Sequence, residues 1–269
     1  MRHLTAPAKI NLALVVGPPR ADGKHEVATV LQRISLVDRV GVSAGERLTV
    51  SGFADDTIVT QALTVLAAAA GGEPGWNVQI EKSIPVAAGL GGGSSDAASA
   101  LRLANDLLPE PLSPPELAAL AATVGADVPF FLGRGPQLGT GDGTVLTPLV
   151  LPADYHVVLV IPADTVKTST RDVYHAFDLR DGAAGFATRR EALLDALAAV
   201  RSAPDLGGLP LNDLATSPLS ARLRALGAFR ADVSGAGPCV YGLFREQREA
   251  AAAAQALLPE GRALVATPV

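Results

Sequence analysis

The chain has 269 residues, 48% of them hydrophobic and 18% charged, enough for a sizeable core in one large domain or two closely packed ones. A formal charge of −5 without any Lys/Arg cluster speaks against a nucleic-acid surface, and a single cysteine, Cys239, excludes a disulfide framework or a cysteine zinc site. His3, His25, His156 and His175 lack metal-ligand spacing, no charged-then-apolar leader precedes the first strand, and no apolar run reaches membrane-spanning length; the expectation is a soluble, cytoplasmic protein that uses neither nucleic acid nor membrane.

In chain order, residues 4–16 read as a strand with Ile10, Leu12, Leu14 and Val16 on one face and Lys9, Asn11 and Ala13 on the other. A lysine and an asparagine two apart leave two readings open: a solvated outer face, or a polar site in which the lysine supplies a point charge for phosphate. Asp22-Gly23 marks a turn, and His25 opens a mixed strand from Val27 to Leu36. After a short strand at Leu48-Thr49-Val50, Asp55 or Asp56 is expected to cap a helix with Ile58, Ala62, Val65 and Ala69 on one face, ended by Gly71-Gly72. Trp76, Val78, Ile80 and Ile84 then recur at even spacing, broken only by Lys82, as on a strand with one buried face.

The next stretch runs Pro85, Val86, Ala87, Ala88, Gly89, Leu90, Gly91, Gly92, Gly93, Ser94, Ser95, Asp96, and leads into Ala97, Leu101, Ala104 and Leu108 at helical spacing. We read it as strand, glycine loop and helix, with Ser94, Ser95 or Asp96 as N-cap. Glycines let backbone N–H groups converge on an anion at the positive end of a helix, so phosphate is the natural guest; a flexible hairpin-like connection is the alternative. The loop is not a Walker A sequence, since no Gly-Lys-Ser/Thr closes it, and Ser94 stands where the last glycine of a dinucleotide fingerprint would fall.

Ser113-Pro114-Pro115-Glu116 is a capping box for a helix through Leu117, Leu120 and Val124 that stops at Gly125. Asp127, among Ala126, Val128, Pro129, Phe130 and Phe131, is either the N-cap of a short turn or a buried functional carboxylate. The loop Gly139–Gly143 precedes a run from Val145 to Leu151, and Pro148 and Pro152 bracket a domain boundary near residue 150. Beyond it come a buried strand at Val157–Ile161 and a helix capped by Thr168-Ser169-Thr170 that carries Val173, Tyr174 and Phe177. A second capping box, Thr188 to Glu191, opens a helix to Val200, and a shorter helix spans Pro218 to Leu226. Strands at Ala231–Ser234 and Val240–Phe244 flank the loop Gly235–Cys239, and a helix from Glu246 to Leu258 leads to a strand at Ala263–Val265.

Three segments together resemble the GHMP kinase family: Pro7-Ala8-Lys9-Ile10-Asn11-Leu12, Pro85 to Ala98, and Ser234-Gly235-Ala236-Gly237-Pro238-Cys239. With Arg20-Ala21-Asp22-Gly23-Lys24-His25 and Gly125-Ala126-Asp127-Val128-Pro129-Phe130-Phe131 added, the resemblance narrows. It then points to the branch that uses ATP to phosphorylate the 2-hydroxyl of a cytidine-diphosphate-linked methylerythritol in the non-mevalonate isoprenoid pathway. The fold implied is two-domain α+β: residues 1–150 a mixed α/β domain with the phosphate loop and catalytic groups, and residues 151–269 a ferredoxin-like domain.

The resemblance implies that Lys9 and Asp127 are catalytic, with Asp127 accepting the proton of the attacking hydroxyl. Pro85 to Ser95 would hold the ATP phosphates, Mg2+ would bridge phosphate oxygens with no metal-ligating residue assigned, and Asn11, His25, Thr170 and Tyr174 would bind the substrate, Tyr174 stacking on cytosine. The implied partner is the small-molecule substrate, with the chain a monomer or weak homodimer. Lys24 stands where family members usually carry Tyr, Asp55-Asp56-Thr57 replaces the usual Asp-Asn-Leu, and Gly-Ala-Gly-Pro-Cys varies the usual Gly-Ser-Gly form. Another GHMP small-molecule kinase, of homoserine or mevalonate type, and a non-catalytic nucleotide-binding module are the competing readings.

Overall fold

The computed structural model describes residues 1–53, 57–73, 75–163 and 169–269. The chain divides into two compact units, each assembled from separated stretches: residues 1–8, 36–86 and 91–134 form the first, and 9–35, 87–90 and 135–269 the second. Two long strands, β1 (Arg2–Pro19) and β2 (His25–Ala44), pair with each other, and each contributes residues to both units. β2 extends well past the expected Leu36 because its two halves find different partners.

In the first unit, Arg39–Ala44 of β2 pairs antiparallel with β4 (Trp76–Glu81), and β3 (Thr49–Ser51) adds parallel to β4. β4 alternates strictly, with Trp76, Val78 and Ile80 inward, as its sequence pattern requires. Helix α1 (Ile58–Ala69) buries Val59, Ala62, Leu63, Leu66 and Ala67, a stripe rotated from the expected Ile58/Ala62/Val65/Ala69 face. Thr57 occupies its N-cap without a side-chain bond, while Asp55 and Asp56 lie outside the described residues.

Helix α2 (Gly92–Asn105) starts earlier than expected: Gly91, left-handed at φ 69°, is its N-cap, and Ser94, Ser95 and Asp96 fall inside the helix. A serine or aspartate caps from extended backbone, whereas this chain enters the helix through a left-handed residue, a conformation that glycine adopts without penalty. The helix then buries every residue from Ser95 to Asn105 except Arg102, and Leu108 lies beyond its end. Helix α3 (Pro114–Val124) has the expected capping box, with Ser113 N–H donating to Glu116 Oε2 at 2.8 Å. Helix α4 (Val128–Leu132) follows Asp127 directly.

In the second unit, Val27–Leu31 of β2 pairs antiparallel with β5 (Gln137–Gly141), which pairs with β6 (Val145–Pro148). A separate antiparallel sheet, ordered β10-β7-β9-β8, is formed by β7 (His156–Pro162), β8 (Arg230–Val233), β9 (Val240–Phe244) and β10 (Gly261–Ala266). The last strand beside the first, with helices before β8 and between β9 and β10, is the ferredoxin-like order expected. Val158, Val160, Leu223, Val240, Phe244, Ala250 and Leu257 form the core beneath it.

Helix α5 (Thr170–Leu179) is capped by Ser169, whose hydroxyl accepts from Asp172 N–H. Ten residues make a marginal helix alone. It is anchored by Phe177, its one buried residue, which enters a cluster of Leu14, Val16, Val27 and Leu214, a burial worth roughly 1.5–3 kcal/mol. Helix α6 (Phe186–Ala199) begins at left-handed Gly185, so the expected start at Thr188 is displaced into the first turn; Phe186 packs closely on Gly17 and fixes the earlier start. Helices α7 (Pro218–Ala225) and α8 (Gln247–Ala256) lie where expected, and a 3-10 turn at residues 203–208 is additional. Among the described residues no helix is long and apolar enough to cross a membrane.

Candidate active site

β1 settles the first open alternative. Both its faces are covered: Lys9 is 4% and Asn11 5% exposed, so they do not form a solvated outer face. A buried ammonium requires compensation. Lys9 Nζ donates to Asn11 Oδ1 at 2.6 Å, Asn11 Nδ2 donates to Thr29 Oγ1 at 2.8 Å, and that hydroxyl donates to Ala13 O at 2.8 Å. Thr29, on β2, thereby fixes which end of the Asn11 amide faces the lysine.

The same unit holds the middle of the glycine loop, residues 87–90, and pins it from two sides. Lys9 N–H donates to Leu90 O at 2.9 Å, so the lysine's own backbone is one clamp. The others come from the loop between β8 and β9: Cys239 N–H donates to Ala88 O at 3.1 Å and Ser234 Oγ to Gly89 O at 2.9 Å. Gly89 has φ +80°, and a Cβ there would collide with the Ser234 carbonyl oxygen. Gly235 sits as close to the lysine: a Cβ on it would lie 3.3 Å from Asn11 Oδ1 and 3.4 Å from Lys9 Nζ. The three segments singled out in the sequence therefore meet at Lys9. Ala87, beside this clamp, also has positive φ (55°), a conformation costing a non-glycine residue roughly 1–2 kcal/mol.

The flanks of the glycine loop, Pro85–Val86 and Gly91–Ser95, belong to the first unit. Val86 is exposed, while Gly91, Gly92, Gly93 and Ser94 are half-buried at the start of α2, where N–H groups have no intrahelical acceptor. Free N–H groups and the helix dipole at such an end favour a negative charge. Ser95 Oγ is buried without a hydrogen-bond partner among the described residues.

Beneath this turn lies a charge cluster not anticipated from sequence. Lys82 Nζ pairs with Asp38, and with Asp96 Oδ2 at 2.6 Å, while Asp38 Oδ1 accepts from the N–H groups of Ser83 and Ile84. Burial opposes the Lys82 charge, but its two carboxylate partners more than offset this and raise its pKa. Burial likewise pushes the Asp96 carboxyl up to about 7, against the pull of Lys82 and with the help of Asp38. Asp96 Oδ1 has no hydrogen-bond partner among the described residues. Lys82 Nζ lies 3.3 Å from where a Cβ on Gly92 would stand, so the cluster sits directly beside the helix start.

Asp127, also in the first unit, occupies the N-cap position of α4 but makes no capping bond with its side chain. Its backbone is helical (φ −83°, ψ −13°) rather than extended, the geometry from which a cap oxygen cannot reach back. It is half-buried. The carboxylate is thus not there as a helix cap.

Back in the second unit, His25 Nε2 lies 2.8 Å from Asp178 Oδ1, and the rings of His25 and Tyr174 are 4.7 Å apart. Phe177, one turn on, seats both α5 residues against β2. Thr170 is exposed at the first position of α5, one turn before Tyr174. Lys24 Nζ pairs with Asp142 Oδ2 at 2.5 Å. Burial opposes the Asp142 charge, but Lys24 and Thr144 prevail and hold its carboxyl down at about 2.

Lys82 had carried a signal in the sequence, as the one residue breaking an otherwise apolar alternation; Asp178 and Asp142 had none, because their partners are distant in the chain.

The chain folds as two α+β domains and belongs to the GHMP kinase family. The GHMP kinases N terminal domain matches residues 57–135, and the GHMP kinases C terminal domain residues 217–261. Within the family, the chain is 40% identical over 273 residues to the 4-diphosphocytidyl-2-C-methyl-D-erythritol kinase of Anaeromyxobacter sp. (strain Fw109-5), covering 95% of this chain and 86% of the relative. The protein of that name from Rhodococcus jostii (strain RHA1) is 40% identical over 260 residues, covering 88% and 82%. A crystal structure of 4-(cytidine 5'-diphospho)-2C-methyl-D-erythritol kinase matches with a TM-score of 0.79 and 36% identity, covering 99% of both chains. A mevalonate kinase crystal structure, at a TM-score of 0.77 and 14% identity over 100% of this chain and 99% of that one, shares the fold.

Proposed function

We propose that the chain is an ATP-dependent kinase that phosphorylates the 2-hydroxyl of 4-diphosphocytidyl-2-C-methyl-D-erythritol, a step toward isoprenoid precursors outside the mevalonate route. The observation that carries the reading is the convergence of Lys9, Ala88–Leu90 and Ser234–Cys239, held by three hydrogen bonds. The relatives that carry that name at 40% identity supply the acceptor.

Phosphoryl transfer passes through a loose transition state, so catalysis is mostly positioning and charge stabilisation. The backbone from Pro85 to Ser95 holds the triphosphate, and the Lys9 ammonium offsets charge growing on the transferred group. Asp127 takes the proton of the attacking hydroxyl. Mg2+ would come with the nucleotide and would help neutralise the charge on its phosphates.

Asn11, His25, Thr170 and Tyr174 bind the acceptor, Tyr174 by stacking on its cytosine, and Lys24, standing where the family usually carries Tyr, does not stack. The family matches at 57–135 and 217–261 fall on either side of residue 150, in keeping with functional halves of 1–150 and 151–269. A cytoplasmic monomer or weak homodimer completes the reading.

The test is ADP release by the purified protein offered the cytidine-linked alcohol, homoserine or mevalonate with MgATP. Turnover of the first alone is expected. Turnover of homoserine or mevalonate without it would assign the chain to another branch of the family, and ATP binding without any turnover would leave a nucleotide-binding module.

A further inference from the structure

The mechanism leaves unused a network of buried polar side chains beneath the β8–β9 loop. Arg230 is 2%, Asp232 5% and Asn212 5% exposed. Arg230 donates to the carbonyls of Leu206, Leu209 and Pro210 at 3.2, 2.6 and 2.8 Å, which fixes the approach to Asn212. It also donates to Tyr241 Oη at 3.1 Å, and that hydroxyl donates to Leu12 O on β1 at 3.3 Å, one residue past Asn11. Asp232 pairs with Arg230 at 3.4 Å and accepts the Asn212 N–H at 2.9 Å. Burial raises the Asp232 pKa against the opposing pull of Arg230, so this carboxylate depends on these partners to stay charged.

Asn212 stands where the network meets the loop. Its Oδ1 accepts from Leu214 N–H at 2.8 Å, and its Nδ2 donates both hydrogens, to Val233 O at 2.9 Å and Gly235 O at 2.7 Å. Both N–H donors and the carbonyl oxygen are thus engaged, and the amide bridges the point where β8 gives way to the loop. Ser234, between those two carbonyls, makes the bond to Gly89 O, and Gly235 abuts Lys9 and Asn11.

We propose that Asn212 is a positioning residue of the kinase site: by holding the Val233 and Gly235 carbonyls it sets the loop that clamps Ala88–Leu90 and stops against Lys9 and Asn11. A buried asparagine needed only for stability would bond wherever carbonyls were orphaned. This one spends both donors on the two residues flanking the serine that grips the glycine loop. The inference rests on the phosphate-binding role proposed above for that loop.

The experiment is a double-mutant cycle of Asn212→Ala and Ser234→Ala, reading affinity for Mg2+ and the non-hydrolysable analogue AMP-PNP by calorimetry and kcat by ADP release. Each single change is expected to weaken AMP-PNP by about tenfold, the worth of a lost hydrogen bond that positions the loop. Asn212→Ala should also lower kcat by up to about 100-fold, since small misplacements of reacting groups cost that much. The double variant should be no worse than the weaker single, because both act through one loop.

Asn212→Asp keeps the Leu214 acceptor and covers the case in which alanine does not fold. Its carboxyl regains one donor when protonated, so its activity should recover as pH falls, whereas a purely structural site gives no such recovery. Unchanged AMP-PNP affinity and kcat in a folded but less stable Asn212→Ala protein, or effects that simply add, would overturn the inference and leave the kinase reading standing. Failure of the wild-type protein to bind AMP-PNP would overturn both.

Discussion

Gly89→Ala puts the clamp on the glycine loop to a quantitative test. At φ +80° an alanine costs roughly 1–2 kcal/mol for its left-handed backbone. Its Cβ would collide with the Ser234 carbonyl oxygen and lie 3.1 and 3.2 Å from Gly237 O and N, an overlap worth about 1–3 kcal/mol more. The chain can escape by lifting Ala88 and Gly89 off the β8–β9 loop, which forfeits the bonds from Cys239 N–H and Ser234 Oγ. At about 1 kcal/mol each, that loss is roughly 2 kcal/mol, so release costs less than strain and sets the size of the effect. Thermal unfolding should drop by about 4–8 °C. In the same protein, the KM for ATP should rise by about tenfold or more while KM for the acceptor moves little, since the change acts on the phosphate cradle. Calorimetric unfolding with steady-state kinetics measures both. A variant with wild-type melting temperature and ATP KM would refute the clamp.

Asp127→Asn should lower kcat by about 100- to 10,000-fold with AMP-PNP affinity nearly intact, as expected for loss of a general base, and near-normal turnover would remove it from that role. Tyr174→Ala should raise KM for the cytidine-linked acceptor by about tenfold, the worth of an aromatic stack, with the ATP KM unchanged in the same kinetic runs. The Asp96 carboxyl is lifted from 3.8 to about 7, so between those values the unfolded chain has released a proton that the native protein still holds. Stability from this group is complete below the unfolded value and lost as pH rises toward about 7. Urea denaturation across that range should show the decline, flattened in Asp96→Asn; an equal slope in both proteins would count against the buried Asp38–Lys82–Asp96 cluster.

Much of the fold was legible because it rests on local pattern. The alternation in β4, the capping box at Ser113 and Glu116, and the Ser169 cap of α5 need only neighbours in sequence. Helix α2 departs from the pattern for a reason equally local: Ser94, Ser95 and Asp96 are better caps by composition, but Gly91 enters the helix through a left-handed conformation that pattern alone does not reveal. Gly185 did the same to Thr188 in α6.

Lys9 and Asn11 stood out as polar residues on a strand, but only the packing on both sides of β1 distinguishes a buried pair from a solvated face. What no local reading reaches is partnership across the chain. Asp38 meets Lys82 over 44 residues, His25 meets Asp178 over 153, and Ser234 meets Gly89 over 145. Those distances in sequence are where the site acquires its charge balance and its clamp.

The most direct measurement is a crystal structure with AMP-PNP, Mg2+ and the cytidine-linked acceptor bound. The triphosphate is expected on the backbone N–H groups of residues 86–95 with Lys9 Nζ at its γ end, and the acceptor 2-hydroxyl within about 2.6–3.2 Å of an Asp127 carboxylate oxygen. A triphosphate bound away from the glycine loop, or an acceptor whose 2-hydroxyl lies out of reach of Asp127, would contradict this mechanism.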